Sequence, residues 1–202
     1  KEEVFEFSSE MKPFLVRFDE GNVLIKEVSF PKELDELLYQ LRNDDVIGRM
    51  GAATALLQFK DDPKTFEALA ASAQGDSFRA VRRSAVEVLG KLQDKRVTAV
   101  LKKASVDVNS SVRAASVVAL GDLKEGGLAE FFKERFGEDE SELVKAEALR
   151  AIGKTGDASF IPFLEKCVSI PSYRNYVGNA ATQALKQLRK QPVMPVFDLR
   201  SR

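Results

Sequence analysis

The chain contains no histidine, no tryptophan and a single cysteine. Without histidine the usual neutral-pH general base, the commonest zinc ligand and the H-E-x-x-H zinc helix are missing. Ser-His-Asp and Cys-His nucleophilic catalysis therefore have no base. Cys167 has no second thiol with which to form a disulfide or a metal cluster, and its apolar surroundings, FIPFLEKCVSI, predict inert burial. An excess of one charge is absent too: 31 basic residues face 31 acidic ones, so no global field draws the chain to nucleic acid or anionic lipid. No apolar stretch approaches the roughly 18 residues of a membrane span. No basic-then-apolar leader opens the chain, and its first residue is Lys1, as in a trimmed product or an excised fragment. The compartment is therefore unread, with the cytoplasm as the default expectation.

What is present suits a soluble protein with a real core: 202 residues, 44% of them hydrophobic and 31% charged. Residues 1–30 read as a β-segment, with strands VFEF at 4–7, FLVRFD at 14–19 and VLIKEVSF at 23–30, the last two joined by a Glu20-Gly21-Asn22 turn. An isolated hairpin is marginal in water, so this segment needs helices or a larger sheet to pack on. Pro31 ends it and opens a helix with Leu34, Leu37, Leu38 and Leu41 on one face.

From there the sequence copies itself. GRMGAATAL, VRRSAVEVL, VRAASVVAL, VKAEALRAI and VGNAATQAL align, with Gly48, Val81, Val112, Val144 and Val177 in the first column at spacings of 33, 31, 32 and 33. Four places on stand Ala52, Ala85, Ser116, Ala148 and Ala181; four further on, Leu56, Leu89, Leu120, Ile152 and Leu185. This alternation predicts one helix face, with a small middle residue that lets neighbours approach closely. Each motif helix is followed by a second amphipathic stretch, around Phe66, Val97, Leu128 and Phe160, which reads as one hairpin per repeat. Gly90, Gly121 and Gly153 directly follow the large residue and are expected to end the helix in a left-handed conformation, while Leu57 and Lys186 take that place in the outer, capping repeats. No such hairpin buries its own apolar face, so the predicted fold is mostly α: an α-α superhelix of about five stacked hairpins over residues 31–191, behind the β-segment and ahead of an extended tail at 192–202.

These residues resemble the HEAT family, in its short variety D-x-x-x-x-V-R-x-x-A-x-x-A-L-G. The match is best in DSFRAVRRSAVEVLG and DVNSSVRAASVVALG and looser in DESELVKAEALRAIG.

A second pair of columns holds charge. Arg49, Arg82, Arg113 and Lys145 are preceded by six places by Asn43, Asp76, Asp107 and Asp139. An active site is unique, whereas this pairing recurs with the repeat, so it reads as a structural ladder in which loop acids accept from amides or from the base of the same or an adjacent repeat. The basic clusters Arg82-Arg83, Lys102-Lys103 and LRK at 188–190 could line up as a phosphate-binding stripe, against which stand the neutral charge, the missing tryptophan and the Glu138-Asp139-Glu140 run. Phe131, Phe132, Phe136, Phe160 and Phe163 read as packing of the second helices rather than as an aromatic ligand groove. Gly126-Gly127 and Gly153 to Gly156 lack the lysine and hydroxyl of a phosphate loop.

The junction PFLVRFDEGNVLIKEVSFPKELDELLYQLRNDDVIGRMGAATAL resembles a domain boundary in zinc aminopeptidases of the aminopeptidase N type, in bacterial members that carry HEAT-like repeats, on Pro13, Val16, Phe18, Asp19, Tyr39, Gln40 and Leu41. The resemblance implies a C-terminal helical domain that closes over a catalytic domain and restricts peptide access. The G-x-M-E-N and H-E-x-x-H signatures are missing, so catalysis and zinc would belong to that other domain, and this chain is expected to hold no cofactor. The alternative is a stand-alone scaffold binding a protein or peptide partner in its concave face. A third reading is a chromophore-lyase-like or nucleic-acid-binding repeat protein.

Overall fold

The computed structural model describes residues 4, 6, 8–19, 23 and 30–190. Among these described residues ten α-helices follow one another: α1 (Leu34–Asn43), α2 (Val46–Ala55), α3 (Pro63–Gly75), α4 (Arg79–Leu89), α5 (Val97–Ala104), α6 (Ser110–Leu123), α7 (Ala129–Glu138), α8 (Glu142–Thr155), α9 (Ile161–Cys167) and α10 (Tyr176–Lys190). Local chemistry sets their ends. Asp62 caps α3 by accepting from the Lys64 amide at 2.9 Å, with Pro63 at the first helical position, where its missing N–H costs nothing. Asn109 caps α6 through the Ser111 amide, and α8 stops at Gly156, whose φ of 79° suits a residue without a Cβ.

The even-numbered helices α2, α4, α6, α8 and α10 stack side by side as one layer, and each odd-numbered helix packs against the even one that follows it: α1 on α2, α3 on α4, α5 on α6, α7 on α8, α9 on α10. This is the solenoid of five hairpins, with one adjustment of phase. The second amphipathic stretch was expected to pair with the motif helix before it; it pairs instead with the motif helix after it. The motif helix is the second arm of each hairpin, and the hairpin turns are the segments around residues 44, 76, 107, 139 and 172.

The core runs unbroken along the array. Val81, Val112 and Val144, with Leu89, Leu120 and Ile152, are fully buried; Val177 and Leu185 are buried in the last hairpin. The middle column is as closed: Ala85, Ala148 and Ala181 have no exposure, and Ser116 in the same slot keeps its hydroxyl satisfied by donating to the Leu101 carbonyl of α5 at 2.5 Å.

The glycines after the large residue do a different job from the one expected. Gly90 has φ −61°, and Gly121 and Gly153 lie inside their helices. A Cβ on Gly90 would fall 2.7 Å from Ala119 Cβ, on Gly121 3.2 Å from Ala151 Cα, and on Gly153 2.7 Å from Ala184 Cα. Each glycine admits the backbone of the next even helix, so the layer is tight because these side chains are missing. Lys186 takes the corresponding place in α10, the last helix among the described residues.

Residues 14–19, expected as a strand, form none, and no strand exists among the described residues. Alternating apolar residues make a strand only where a neighbour completes the hydrogen-bond ladder. Here the Val16 amide donates to the Glu36 carboxylate at 3.1 Å and Phe14 stacks on Tyr39 with ring centroids 5.4 Å apart, so the segment is held by side chains of α1. The Glu20-Gly21-Asn22 turn, half of the 4–7 strand, most of the 23–30 strand and the 192–202 tail lie outside the described residues. Among those described, no helix is long and apolar enough to cross a membrane.

Candidate functional site

The charged columns meet along the hairpin turns. Arg82 Nε donates to Asp107 Oδ2 at 2.7 Å and its Nη2 to Oδ1 at 2.8 Å; Arg113 repeats this on Asp139 at 2.7 and 2.8 Å, and Arg49 on Asp76 at 2.8 and 3.1 Å. Each arginine thus grips the acid of the next hairpin. Its remaining Nη1 donates back to the carbonyl of its own hairpin's turn: Arg82 to Asp76 and Arg113 to Asp107, both at 2.9 Å. Each acid also accepts from the amide two residues on, at Phe78, Asn109 and Ser141. One guanidinium therefore joins two turns, and the fork–fork geometry fixes their offset.

These pairs are nearly closed to solvent, with side-chain exposures of 10% for Arg82 and 11% for Asp107. Burial pushes the Asp107 carboxyl up, but the Arg82 hydrogen bonds, the Asn109 amide and the neighbouring guanidiniums push it down by more, so it rests below the ordinary carboxylate range. Asp139 is held low by the same contest, with Arg113 and Ser141 as its partners. The acceptor positions are filled and the charges matched, which is the arrangement of a fastening, not of a reacting group.

The ladder ends differently at its two limits. Lys145 makes no ion pair with any described residue. The position facing it in the next hairpin is Ser172, whose hydroxyl accepts from the Val177 amide at 3.0 Å. Base and acid are weakened together there. At the other limit Asn43 only donates to the Tyr39 carbonyl, and Asp44 takes the acid's place: its carbonyl accepts from Arg49 at 2.9 Å and its Oδ1 from Arg17 Nη1 at 2.9 Å. Sequence reading missed Asp44 because it stands five places before Arg49 rather than six. The available signal was Gly48 in a column of valines, since a Cβ there would lie 1.9 Å from Asp44 Oδ2.

The free face of the even layer carries a groove of about 520 Å³. Its floor is short, Ala114, Ala115, Val118 and Ala119 of α6, and longer side chains rise on either side, Arg83 and Glu87 from α4 with Lys91 just beyond its end, and Leu143 and Glu147 from α8. A smaller hollow of about 310 Å³ follows on α8 and α10, between Arg150, Lys154, Lys186 and Lys190. Sequence reading did not locate this groove, because the column that forms its floor carries no charge or aromatic ring to draw notice.

The remaining candidates fall elsewhere. The three basic clusters do not form one stripe: Arg82 belongs to the ladder, Arg83 pairs with Glu87 at 2.7 Å beside the groove, Lys102 lies 5.3 Å over the Phe131 ring, and Arg189 pairs with Glu165 at 2.6 Å. Phe132 and Phe160 are buried, and Phe136 meets Phe163 edge-on at 5.6 Å within the odd-helix layer. The Cys167 thiol is buried and pushed up to about 11 by desolvation, so at neutral pH it stays protonated. Among the described residues no three potential metal ligands converge.

A family model described as HEAT repeats matches residues 34–121. None of the curated proteins matches the chain. Among solved structures, a chain from the complex of CpcE and CpcF of phycocyanin lyase from Nostoc sp. PCC7120 is similar, at 24% identity and a TM-score of 0.60 over 85% of this chain and 70% of that one. At that identity the likeness concerns the fold, which is a HEAT-like array of stacked α-hairpins.

Proposed function

We propose that this chain is a HEAT-repeat scaffold that binds a protein partner along the free face of its even-helix layer. The observation that carries the reading is the groove: a floor of alanines and a valine between charged walls, on the one layer whose helices are packed closely enough to make a continuous surface. The ladder, the phenylalanines and the thiol are taken up by structure, so in this reading the chain contributes binding rather than bond-making. The similar solved chain is described as part of a two-protein complex, which accords with a protein partner.

The finer reading, a domain closing over a zinc aminopeptidase, rests on the junction residues alone, and the comparisons lend it no support. Photo-crosslinking separates the readings. A benzophenone amino acid placed at Val118 is expected to give a discrete protein adduct in cells, and the same group at Glu134 on the opposite layer none. Equal labelling at both positions would refute the groove as the binding face.

A further inference from the structure

The groove-bearing face is more basic than the rest of the molecule. The whole chain is neutral, yet six cations on this face stand against three carboxylates, Glu87, Asp122 and Glu147. Each carboxylate is already engaged: Glu87 by Arg83, Asp122 by Lys154 and Glu147 by Arg150, all at 2.7 Å. Lys91, Lys186 and Lys190 are exposed and make no ion pair with any described residue. Unmatched positive charge is therefore left at both ends of a strip that crosses α4, α6, α8 and α10, with the apolar floor of α6 between them.

Resting on the scaffold reading above, we infer that the occupant of this face is an acidic segment of a protein partner, crossing the helices and anchored by a large apolar side chain on the Ala114–Val118 floor. Helix spacings of 8–10 Å put α4 and α10 about 24–30 Å apart, the reach of about eight or nine extended residues. Carboxylates at its two ends would meet Lys91 on one side and Lys186 and Lys190 on the other, leaving the existing pairs undisturbed. A nucleic acid fits less well. Its phosphates would face the three carboxylates, the floor offers them no donor, and neither hollow is lined by an aromatic ring on which a base could stack.

The test uses the full chain and fluorescein-labelled synthetic peptides of about nine residues, rich in aspartate and glutamate with a central leucine, read by anisotropy at low and physiological salt. Binding is expected, weakened at least about tenfold by Lys186→Glu/Lys190→Glu and severalfold by replacing the peptide's leucine with alanine. An unchanged thermal melt keeps folding out of the comparison. Equal affinity for the lysine counterpart peptide, indifference to the double substitution, or tighter binding of a single-stranded oligonucleotide that shares the same lysines would each overturn the acidic-segment assignment. The crosslink at Val118 stands apart: an adduct there with a basic or neutral partner would retain the scaffold and remove only the acidic preference.

Discussion

Arg17 binds Asp44 at 2.9 Å in the place where, one hairpin later, Arg49 binds Asp76. Arg17 belongs to the non-helical segment before α1, and its Nη2 reaches Asp45 as well, at 2.5 Å. The segment thus lends the first hairpin the cation that a preceding repeat would have provided. Asp44, whose side chain is 1% exposed, depends on that end being closed, whereas the more exposed helix cap Asp45 is held low chiefly by the Gly48 amide, with Arg17 adding to it.

Arg17→Ala is expected to destabilise the first hairpin by about 1.5–3 kcal/mol, the scale of a charge-assisted hydrogen bond. Hydrogen exchange should quicken in α1 and α2 while α6 to α10 keep their protection. Uniform quickening along the chain would mean that the segment does not act as a local cap.

Arg82→Ala should cost about 3–5 kcal/mol, because it leaves Asp107 buried and unmatched. The double change Arg82→Met/Asp107→Leu should recover most of that loss, since two apolar groups leave no orphan charge. Urea melts of the two singles and the double give the coupling directly. Additive losses would show that the pair does not act as a unit.

Acid should loosen the array in a defined direction. Asp107 and Asp139 have folded-state carboxyls below their unfolded values. Their contribution is therefore complete above the unfolded value of about 3.9 and is lost as pH falls through the lower folded values, where the unfolded chain binds more protons. Stability should be flat from neutral down to about pH 5 and drop below about pH 4, with a shallower drop in Asp107→Asn/Asp139→Asn. A urea midpoint measured at each pH reads this slope, and an identical drop in the variant would assign acid sensitivity to other groups.

Two glycine substitutions should move in opposite directions. Gly51→Ala lies mid-helix with nothing within 4 Å of the new Cβ, so helix propensity should stabilise it by up to about 1 kcal/mol. Gly153→Ala would press on the Ala184 backbone at 2.7 Å, and overpacking should outweigh the same propensity, for a net loss of about 1–3 kcal/mol. Thermal melts of the two variants decide it; a stabilised Gly153→Ala would show that the even layer has slack.

The solenoid was legible because burial repeats: the columns headed by Val81 and Leu89 can be read without knowing any neighbour. Pairings across loops were harder. Periodicity says which face of a helix is apolar but not whether its partner comes before or after it, so the hairpin phase emerged only in three dimensions. Gly121 was misread because a left-handed turn and a close backbone approach both ask for a missing Cβ. Acid and base stand out as columns, yet which base meets which acid depends on the offset between hairpins. Asp44 hid behind a one-residue change of spacing, and the alternation at 14–19 could not show that this segment is held by the side chains of Glu36 and Tyr39 on α1.

The unequal ends of the ladder say how such an array could grow. A copy of the α5–α6 hairpin inserted in mid-array would offer an aspartate to the arginine before it and an arginine to the aspartate after it, and its glycine would again face an alanine. A copy placed after α10 would meet Gly178 where an arginine is needed and Lys186 where a glycine is needed. Lengthening by internal duplication is thus built into the middle of the chain, whereas the last described hairpin offers a further copy neither the arginine nor the glycine of the repeat.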